Sequence, residues 1–279
     1  MQQEPIKAKK KLSQHFLKDR LLAKRIVDSL NLKPNDQVLE IGYGTGALTE
    51  LLVGKCFYNG VELDQSLYLK VKKEFDGPKR KFLNRDILSL DLSQLVDTDN
   101  SSLKIVGNLP YGISSPILRH IAHYIDFIDL AIVMLQAEVA DRLVATPGSR
   151  DYGFLTLFVH YYFDPELLFT VSSQAFKPQP KVNSKVVCLI PHSNYLLSRQ
   201  YEVPFFQFVK KAFSQRRKTL INCLKILSSL QQERLKFELD RLSYSMQVRA
   251  EEIPLTHFVE LFRTVSLETS GTIQKSTIG

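Results

Sequence analysis

The chain has 279 residues, of which 44% are hydrophobic and 24% charged, a composition typical of a globular protein rather than a disordered one. It has no apolar run long enough to cross a membrane, no apolar segment of a secretory signal and only three scattered cysteines, so we expect a cytoplasmic protein without a metal. The net charge of +8 suggests a polyanionic partner.

Strands and helices alternate through the first half of the chain. Apolar residues fall at helical spacing over residues 19–31, with Asp19 as the expected N-cap. Such alternation, continued along the chain, predicts a mostly parallel sheet covered on both faces. The predicted strands are 37–42, 56–64, 81–88, 103–110 and 129–136, and the predicted helices are 47–53, 65–75, 115–125 and 137–145.

The pattern changes in the second half of the chain. Two further strands are predicted at residues 167–176 and 181–190, joined by a proline-rich segment. After a polar connector only helical patterns follow, beginning at Pro204. We therefore predict an α/β domain over residues 1–194 and a smaller, all-helical domain over residues 195–279.

Three glycines, Gly42, Gly44 and Gly46, lie between the first strand of the predicted sheet and its helix. Glycines in such a turn let the backbone approach a ligand closely, and the amides of the following helix offer donors. Their G-x-G-x-G spacing is neither the dinucleotide fingerprint nor a P-loop. Glu62 ends the next strand, where its carboxylate can accept hydrogen bonds from both hydroxyls of a ribose.

Asp86 follows the third strand of this sheet. There it can accept a hydrogen bond from an adenine amino group, while Ile87 packs on the ring. Three successive strand ends thus carry Gly, Glu and Asp, at the sheet edge where ligands of open α/β sheets bind. This arrangement predicts a nucleoside cofactor, and without a pyrophosphate fingerprint S-adenosylmethionine fits better than NAD.

The tetrapeptide Asn108 to Tyr111 ends another strand at the same edge, although its composition alone would indicate a turn. The Asn108 side-chain oxygen and the Leu109 carbonyl can accept the two N–H bonds of an exocyclic amine and aim its lone pair at a methyl group. Pro110 fixes the backbone, and Tyr111 offers a ring on which a base can stack. We therefore predict methyl transfer to an aromatic amine that relies on orientation rather than on an ionised base.

The motifs and their order resemble those of the small-subunit rRNA adenine dimethyltransferases, the KsgA family, over nearly the whole chain. The resemblance implies a Rossmann-like S-adenosylmethionine-dependent methyltransferase sheet with a smaller helical domain. It also implies N6,N6-dimethyladenosine as product, at two adjacent adenosines near the end of small-subunit (16S) rRNA. The segments that carry it are "SQHFL" (13–17), "EIGYGTGALTE" (40–50), "VELD" (61–64), "GNLPY" (107–111), "MLQAEVADRL" (134–143), "AFKPQPKVNSKVV" (175–187) and "KKAFSQRRKTLINCL" (210–224).

The resemblance also implies roles for single residues. Phe176 would close the far face of the target base, opposite Tyr111, although by its pattern alone Phe176 is more readily a core aromatic. The implied cofactor contacts are Gln14, His15, Leu17, Gly42, Gly44, Glu62, Asp86 and Asn108.

Three positions depart from the family pattern. Tyr43 stands where Pro is usual, His15 where Asn is common and Arg85 where Gly is common. Tyr43 could alter the glycine turn, and Arg85 lies beside Asp86. None of the three removes a group to which we assign chemistry.

A basic segment opens the helical domain. Residues 210–218 contain five cations and no acidic residue, which favours contact with an RNA backbone. If one helix continues through residues 204–227, Arg216 falls in the middle of its apolar stripe. We therefore predict that Arg216 is semi-buried and paired with a carboxylate. The residues predicted to contact RNA are Lys210, Lys211, Arg217 and Lys218.

Two other functions stay open at this point. The large-subunit rRNA methyltransferases of macrolide resistance share the catalytic motifs, but "NLPY" and "QRRKTL" favour the small-subunit branch. A non-catalytic assembly factor could keep the fold, but the intact Gly42, Glu62, Asp86 and Asn108 argue against it. We expect a monomeric enzyme that uses S-adenosylmethionine, acts on small-subunit rRNA and has no membrane partner.

Overall fold

The computed structural model of the chain describes residue 9 and residues 14–96, 102–192 and 195–266. Among these residues, strands and helices alternate through the first half of the chain, and only helices follow the last strand. The strands are β1 (Phe16–Leu17), β2 (Gln37–Ile41), β3 (Phe57–Glu62), β4 (Arg80–Asn84), β5 (Leu103–Asn108), β6 (Ile128–Gln136), β7 (Phe163–Val171), β8 (Phe176–Lys177) and β9 (Ser184–Pro191). The helices are α1 (Arg20–Asp28), α2 (Thr49–Leu52), α3 (Gln65–Phe75), α4 (Ser114–His123), α5 (Ala137–Leu143), α6 (Phe154–Tyr162), α7 (Glu202–Ala212), α8 (Leu220–Cys223), α9 (Ser229–Arg241) and α10 (Leu255–Ser266).

A seven-stranded sheet, in the order β4-β3-β2-β5-β6-β9-β7, forms the centre of one compact unit. Strands β2 to β6 within it are parallel, and β9 runs antiparallel to both of its neighbours. All five residues of β2 are buried, as in a parallel sheet covered on both faces. The predicted mostly parallel sheet is therefore confirmed. A separate two-stranded pair joins β1 to β8.

Helix caps place the segments that follow the strands. Asp19 caps α1, because its carboxylate accepts hydrogen bonds of 3.0 Å from the amides of Leu21 and Leu22, as the sequence predicts. Asp64 caps α3 in the same way through the amide of Ser66 at 3.0 Å. The second cap fixes the chain directly after β3, where the predicted ribose-binding carboxylate lies.

The second compact unit is helical. It comprises Arg142–Tyr161 and the chain from His192 onward. Its core is rich in aromatic rings, with Phe205 and Phe262 at a centroid distance of 5.5 Å. The sequence predicts a single domain boundary after residue 194, a residue that lies outside the described ones. The two compact units do not follow one boundary, because the helical unit contains two separate stretches of the chain. Residues 142–161, expected in the first domain, belong to the helical unit because α6 adds its aromatic side chains to that core.

The single helix over residues 204–227, on which the predicted burial of Arg216 is conditional, is not present. Helix α7 ends at Ala212, and Phe213 leaves the helical conformation with ψ near 4°. A turn follows, and α8 begins after Thr219, whose hydroxyl accepts a hydrogen bond from the amide of Asn222. Thr219 therefore caps a new helix where the apolar spacing suggested an uninterrupted one.

Candidate active site

A cavity of about 330 Å³ lies at the carboxyl ends of β2, β3 and β5. This is where ligands of open α/β sheets bind. All of the residues predicted for catalysis and cofactor binding line it, apart from two. Those that line it are Gln14, His15, Gly42, Gly44, Glu62, Asp86, Ile87, Asn108, Leu109, Pro110 and Tyr111.

The two exceptions, Leu17 and Phe176, lie in the core. They face each other in the β1–β8 pair and are 7% and 2% exposed. Successive side chains of a strand point to opposite faces, so Phe16 reaches the cavity and Leu17 turns inward. Leu17 and Phe176 therefore do not line this cavity, and their roles toward the cofactor and the target base stay predictions.

Eight lining residues were not predicted. All of them except Ile113 are immediate chain neighbours of a predicted site residue, so the flanks of each motif are the signal that could have found them. They are Phe16, Ile41, Val61, Leu63, Arg85, Leu88, Gly112 and Ile113.

The glycine turn between β2 and α2 adopts left-handed backbone conformations, with φ of 68° at Gly42 and 54° at Gly44. A Cβ atom at Gly44 would lie 3.1 Å from the ring of Phe16, so a side chain there would be both strained and crowded. The turn therefore requires glycine, and it aims the amide of Gly44 at Glu62, which accepts its hydrogen bond at 3.0 Å.

Glu62 is buried at the end of β3, with 7% exposure. Its two carboxylate oxygens accept hydrogen bonds from the amides of Gly44 and Asp64, at 3.0 and 2.9 Å. Burial raises the pKa of Glu62, and these two amides act in the opposite direction. Each oxygen of an ionised carboxylate has a second lone pair, so Glu62 can still accept two hydroxyl hydrogen bonds.

Gln14 is fixed beside the cavity by a polar cluster around Asp64. Its side-chain amide donates to Asp64 at 3.1 Å, and the ammonium group of Lys9 lies 2.9 Å from the other carboxylate oxygen. Partial burial acts to raise the pKa of Asp64, but hydrogen bonds from Ser66, Lys9 and Gln14 bring it well below its usual range. Asp64 therefore stays ionised and holds Lys9 and Gln14 beside the end of β3.

Asp86 caps a short 3₁₀ turn at the far side of the cavity. One carboxylate oxygen accepts a hydrogen bond of 3.0 Å from the amide of Leu88, which orients the side chain. Ile87 beside it is buried, with 6% exposure, and still contributes to the cavity wall. An acceptor next to an apolar surface suits the edge and face of an adenine ring.

The two polar atoms of the Asn108 side-chain amide differ: among the described residues the nitrogen has a hydrogen-bond partner and the oxygen has none. Its nitrogen donates to the backbone carbonyl of His15 at 2.9 Å, and a carbonyl can only accept, so this bond fixes which way the amide is turned. Its oxygen is buried and has no hydrogen-bond partner among the described residues. A buried acceptor without a partner is uncommon in a folded protein and here lies in the cavity wall.

Tyr111 also lines the cavity. Its ring stacks on the imidazole of His15, at 5.4 Å between centroids and 26° between planes. Its hydroxyl lies 2.7 Å from the hydroxyl of Ser184. Burial raises the pKa of Tyr111, so the phenol is neutral at physiological pH.

The predicted RNA-binding cations are all exposed on the helical unit. Lys210 and Lys211 lie in the last turn of α7, and Arg217 and Lys218 follow in the turn before α8. In one continuous helix Lys210 would share a face with Arg217, and Lys211 with Lys218. Because α7 ends at Ala212, these shared faces do not exist. What they share is one short, basic, solvent-exposed stretch of chain, which we call the basic turn (residues 210–218).

Arg216 pairs with a carboxylate, as predicted, although the helix used to predict it is broken. Its guanidinium lies 3.2 Å from Glu251 and donates to the backbone carbonyls of Arg150 and Tyr152. The side chain is half exposed, at 52%, rather than enclosed in a core. Arg216 therefore fixes the basic turn to neighbouring loops of its own unit.

Replacing Arg216 with alanine should lower the melting temperature by about 2–4 °C, the effect of losing roughly 1 kcal/mol in a chain of this size. Solvent screening keeps the loss this small. Replacing the exposed Arg217 with alanine should shift it by less than about 1 °C. Differential scanning calorimetry of both variants checks this, and two equal shifts would mean that the Arg216 contacts do not stabilise the unit.

No group of three or more His, Cys, Asp or Glu side chains in the described part of the chain is arranged to hold a metal ion. The helices that the structure describes are all too short or too polar to cross a membrane. The three cysteines are buried and form no disulfide.

Comparisons with known proteins agree with this geometry. The ribosomal RNA small subunit methyltransferase A of Geobacter metallireducens is 39% identical over 269 residues, which cover 95% of this chain and 98% of that protein. A dimethyladenosine transferase from Plasmodium falciparum has the same fold, with a TM-score of 0.73 at 24% identity over 92% of this chain and 98% of its own. The 23S rRNA methyltransferase ErmE gives a TM-score of 0.68 at 25% identity, over 90% and 99%.

The family model described as ribosomal RNA adenine dimethylase matches residues 6–265. That range contains every lining residue of the cavity and the whole basic turn. The seven-stranded sheet, the cavity at its carboxyl edge and the near full-length relative all agree with that match. The chain is a member of the ribosomal RNA adenine dimethylase family.

Proposed function

We propose that this protein transfers methyl groups from S-adenosylmethionine to N6 of two adjacent adenosines near the 3′ end of small-subunit (16S) rRNA. The family and the name of the 39% identical relative support the substrate. The observation that carries the chemistry is the buried oxygen of Asn108, a residue that lines the cavity, because this acceptor has no partner among the described residues. We propose that the enzyme acts as a monomer in the cytoplasm, during assembly of the subunit.

S-adenosylmethionine, when bound, supplies a methyl group carried by a positively charged sulfur. The residues of the cavity suit it, because Glu62 retains acceptor capacity for a ribose and Asp86 and Ile87 offer an acceptor beside an apolar surface. The glycine turn leaves room for a close approach of the ligand to the backbone. Gln14 and His15 complete the wall on the amino-terminal side.

Asn108 acts on the target amine. The lone pair of an adenine amino group is delocalised into the ring, so the amine is a poor nucleophile. Hydrogen bonds from the amine to the oxygen of Asn108 and to the carbonyl of Leu109 would turn the nitrogen toward tetrahedral geometry and direct its lone pair. No ionised side chain is needed as a base, because the proton becomes acidic once the nitrogen is alkylated.

Tyr111 gives the base a surface. Its ring lies in the cavity wall beside Asn108, and stacking of a base on an aromatic ring contributes about 1–3 kcal/mol. Pro110 restricts the backbone between the two residues. The Asn108–Tyr111 tetrapeptide thus binds both the edge and the face of the adenine.

The basic turn provides the RNA contact in this proposal. Lys210, Lys211, Arg217 and Lys218 are exposed on one short stretch of the helical unit, and Arg216 holds that stretch in place. Such contacts with phosphates give affinity without sequence information. The choice of adenosine would therefore come from the cavity and from the shape of the RNA.

Replacing Glu62 with alanine should weaken the binding of S-adenosylmethionine by about 1.5–3 kcal/mol, the loss of a charge-assisted acceptor. Isothermal titration calorimetry measures this directly. Glu74→Ala, an exposed carboxylate on α3, is the matched control and should bind like the unaltered protein. Unchanged affinity of the Glu62 variant would remove this residue from the cofactor site.

One experiment tests the proposed function as a whole. The protein is incubated with S-adenosylmethionine carrying a labelled methyl group and with undermethylated small or large ribosomal subunits, and the labelled nucleotides are mapped. We expect N6,N6-dimethyladenosine at two adjacent positions in the small subunit. Label in the large subunit alone would favour the alternative function, for which the similarity to ErmE is the specific observation. Absence of label in both would favour a non-catalytic assembly factor.

A further inference from the structure

Ser184 is a hydroxyl in the interior of the sheet. It begins β9, where it pairs with Gln136 of β6 and Val171 of β7, and its side chain is fully buried. A hydroxyl at such a position is destabilising unless it forms a hydrogen bond. Its oxygen lies 2.7 Å from the hydroxyl of Tyr111, and no other side-chain hydrogen bond of Ser184 is found within the described residues.

Tyr111 is restrained at both ends and on one face. Its backbone follows Leu109, whose amide donates to the carbonyl of Met134 at 3.0 Å. The far end of its ring is held by Ser184, and one face of the ring lies on His15. The imidazole of His15 is itself held, 2.8 Å from the carbonyl of Pro178.

We propose that Ser184 is a positioning residue for methyl transfer, an inference that rests on the proposed function. A tyrosine side chain has two torsions: the hydrogen bond at its hydroxyl fixes the direction of the ring axis, and the stacking on His15 restrains the plane of the ring. The target base would stack on that plane, so a ring ordered in advance avoids an ordering cost when the base arrives. Ser184 acts through Tyr111 and does not line the cavity.

Two other buried hydroxyls of the sheet unit, those of Tyr58 and Thr49, form hydrogen bonds that do not reach the cavity. Tyr58 donates to Glu40 at 2.7 Å, and Thr49 donates to the same carboxylate at 2.7 Å. Neither Tyr58 nor Thr49 lines the cavity, so their hydrogen bonds stabilise the core alone. The Ser184–Tyr111 bond instead joins a buried strand to the wall of the reaction site.

Two variants remove this hydrogen bond from opposite sides, Ser184→Ala and Tyr111→Phe. Each should lower kcat for undermethylated small subunits by about five- to tenfold, the effect of removing one hydrogen bond. The KM for the subunit should stay within about twofold, because phosphate contacts of the helical unit set it. Calorimetry should show unchanged affinity for S-adenosylmethionine in both.

The double variant separates this role from a general loss of packing. If both residues act through their shared bond, the double variant should be no slower than the slower single variant. If the fold-losses in kcat of the two single variants multiply in the double variant, the two residues act independently and the inference is overturned.

Thr156→Val is the matched control, because it removes a buried hydroxyl that donates to the carbonyl of Arg142 at 2.7 Å in the helical unit. It should lower the melting temperature and leave kcat unchanged. An equal loss of kcat in this control would make the Ser184 effect one of stability and would overturn the inference. A wild-type kcat in Ser184→Ala would overturn the inference alone, whereas no methylation by the unaltered protein would overturn the proposed function as well.

Discussion

Asn108→Ala should reduce methyl transfer by at least about 100-fold, because a small misplacement of the reacting groups can cost that much. The substitution removes the buried oxygen that has no partner among the described residues, and with it the acceptor for the target amine. It also frees the carbonyl of His15. Single-turnover incorporation of labelled methyl groups into undermethylated small subunits measures the rate of the chemical step.

The control for this prediction is Asn59→Ala. Asn59 is also a buried amide of the same sheet, donating to the carbonyl of Val38, but it does not line the cavity. We expect it to lower stability and leave the rate unchanged. Binding of the subunit should be nearly constant in both variants. If Asn108→Ala methylates at the wild-type rate, the proposed mechanism is wrong and the tetrapeptide is only a turn.

The combined change Lys211→Ala, Arg217→Ala, Lys218→Ala should weaken binding of the subunit, whereas Asn108→Ala should slow methyl transfer. It removes three exposed cations from the basic turn and leaves the cavity of the other compact unit intact. The association constant K should fall. The negative slope of log K against log salt should become shallower by about 0.7–0.9 for each phosphate that the variant no longer neutralises. Binding titrations at several salt concentrations give the slope, and the affinity for S-adenosylmethionine should not change.

A variant with the same change in net charge serves as the control for the basic turn. Lys73→Ala, Lys225→Ala, Lys236→Ala removes three exposed lysines from other segments. Its binding should stay close to that of the unaltered protein. An equal fall in affinity and slope in the two variants would mean that overall charge attracts the RNA and that the basic turn has no special part.

Local sequence signals predicted most of the fold. Helix α3 has the predicted bounds, because an N-cap precedes it and its apolar residues keep helical spacing. Helix α6 was missed because Phe154–Tyr162 is apolar on nearly every side, so it shows no helical period. The strand predicted at 167–176 begins at Phe163 instead, directly after that helix. Whether the helix breaks after Ala212 stayed open in the sequence, because neither proline nor glycine marks the break.

The candidate site was predictable where it depends on the ends of strands. Gly42, Glu62 and Asn108 each end or follow a predicted strand, and parallel strands bring those ends to one edge. Side-chain direction in a two-residue strand could not be predicted, and there Leu17 turns inward whereas Phe16 lines the cavity. The partner of Tyr111 could not be predicted, because Ser184 is 73 positions away and only the folded sheet brings it near.

The orientation of the Asn108 and Tyr111 side chains depends on contacts between distant parts of the chain. The amide of Asn108 is turned by His15, 93 positions earlier, and the ring of Tyr111 is held from a strand near the end of the sheet unit. During synthesis on the ribosome, the glycine turn and Glu62 emerge long before Ser184 does. A nascent chain therefore contains the residues that we propose to bind the cofactor well before it contains the partner of Tyr111. The hydrogen bond that holds the ring of Tyr111 can form only after β9 takes its place between β6 and β7.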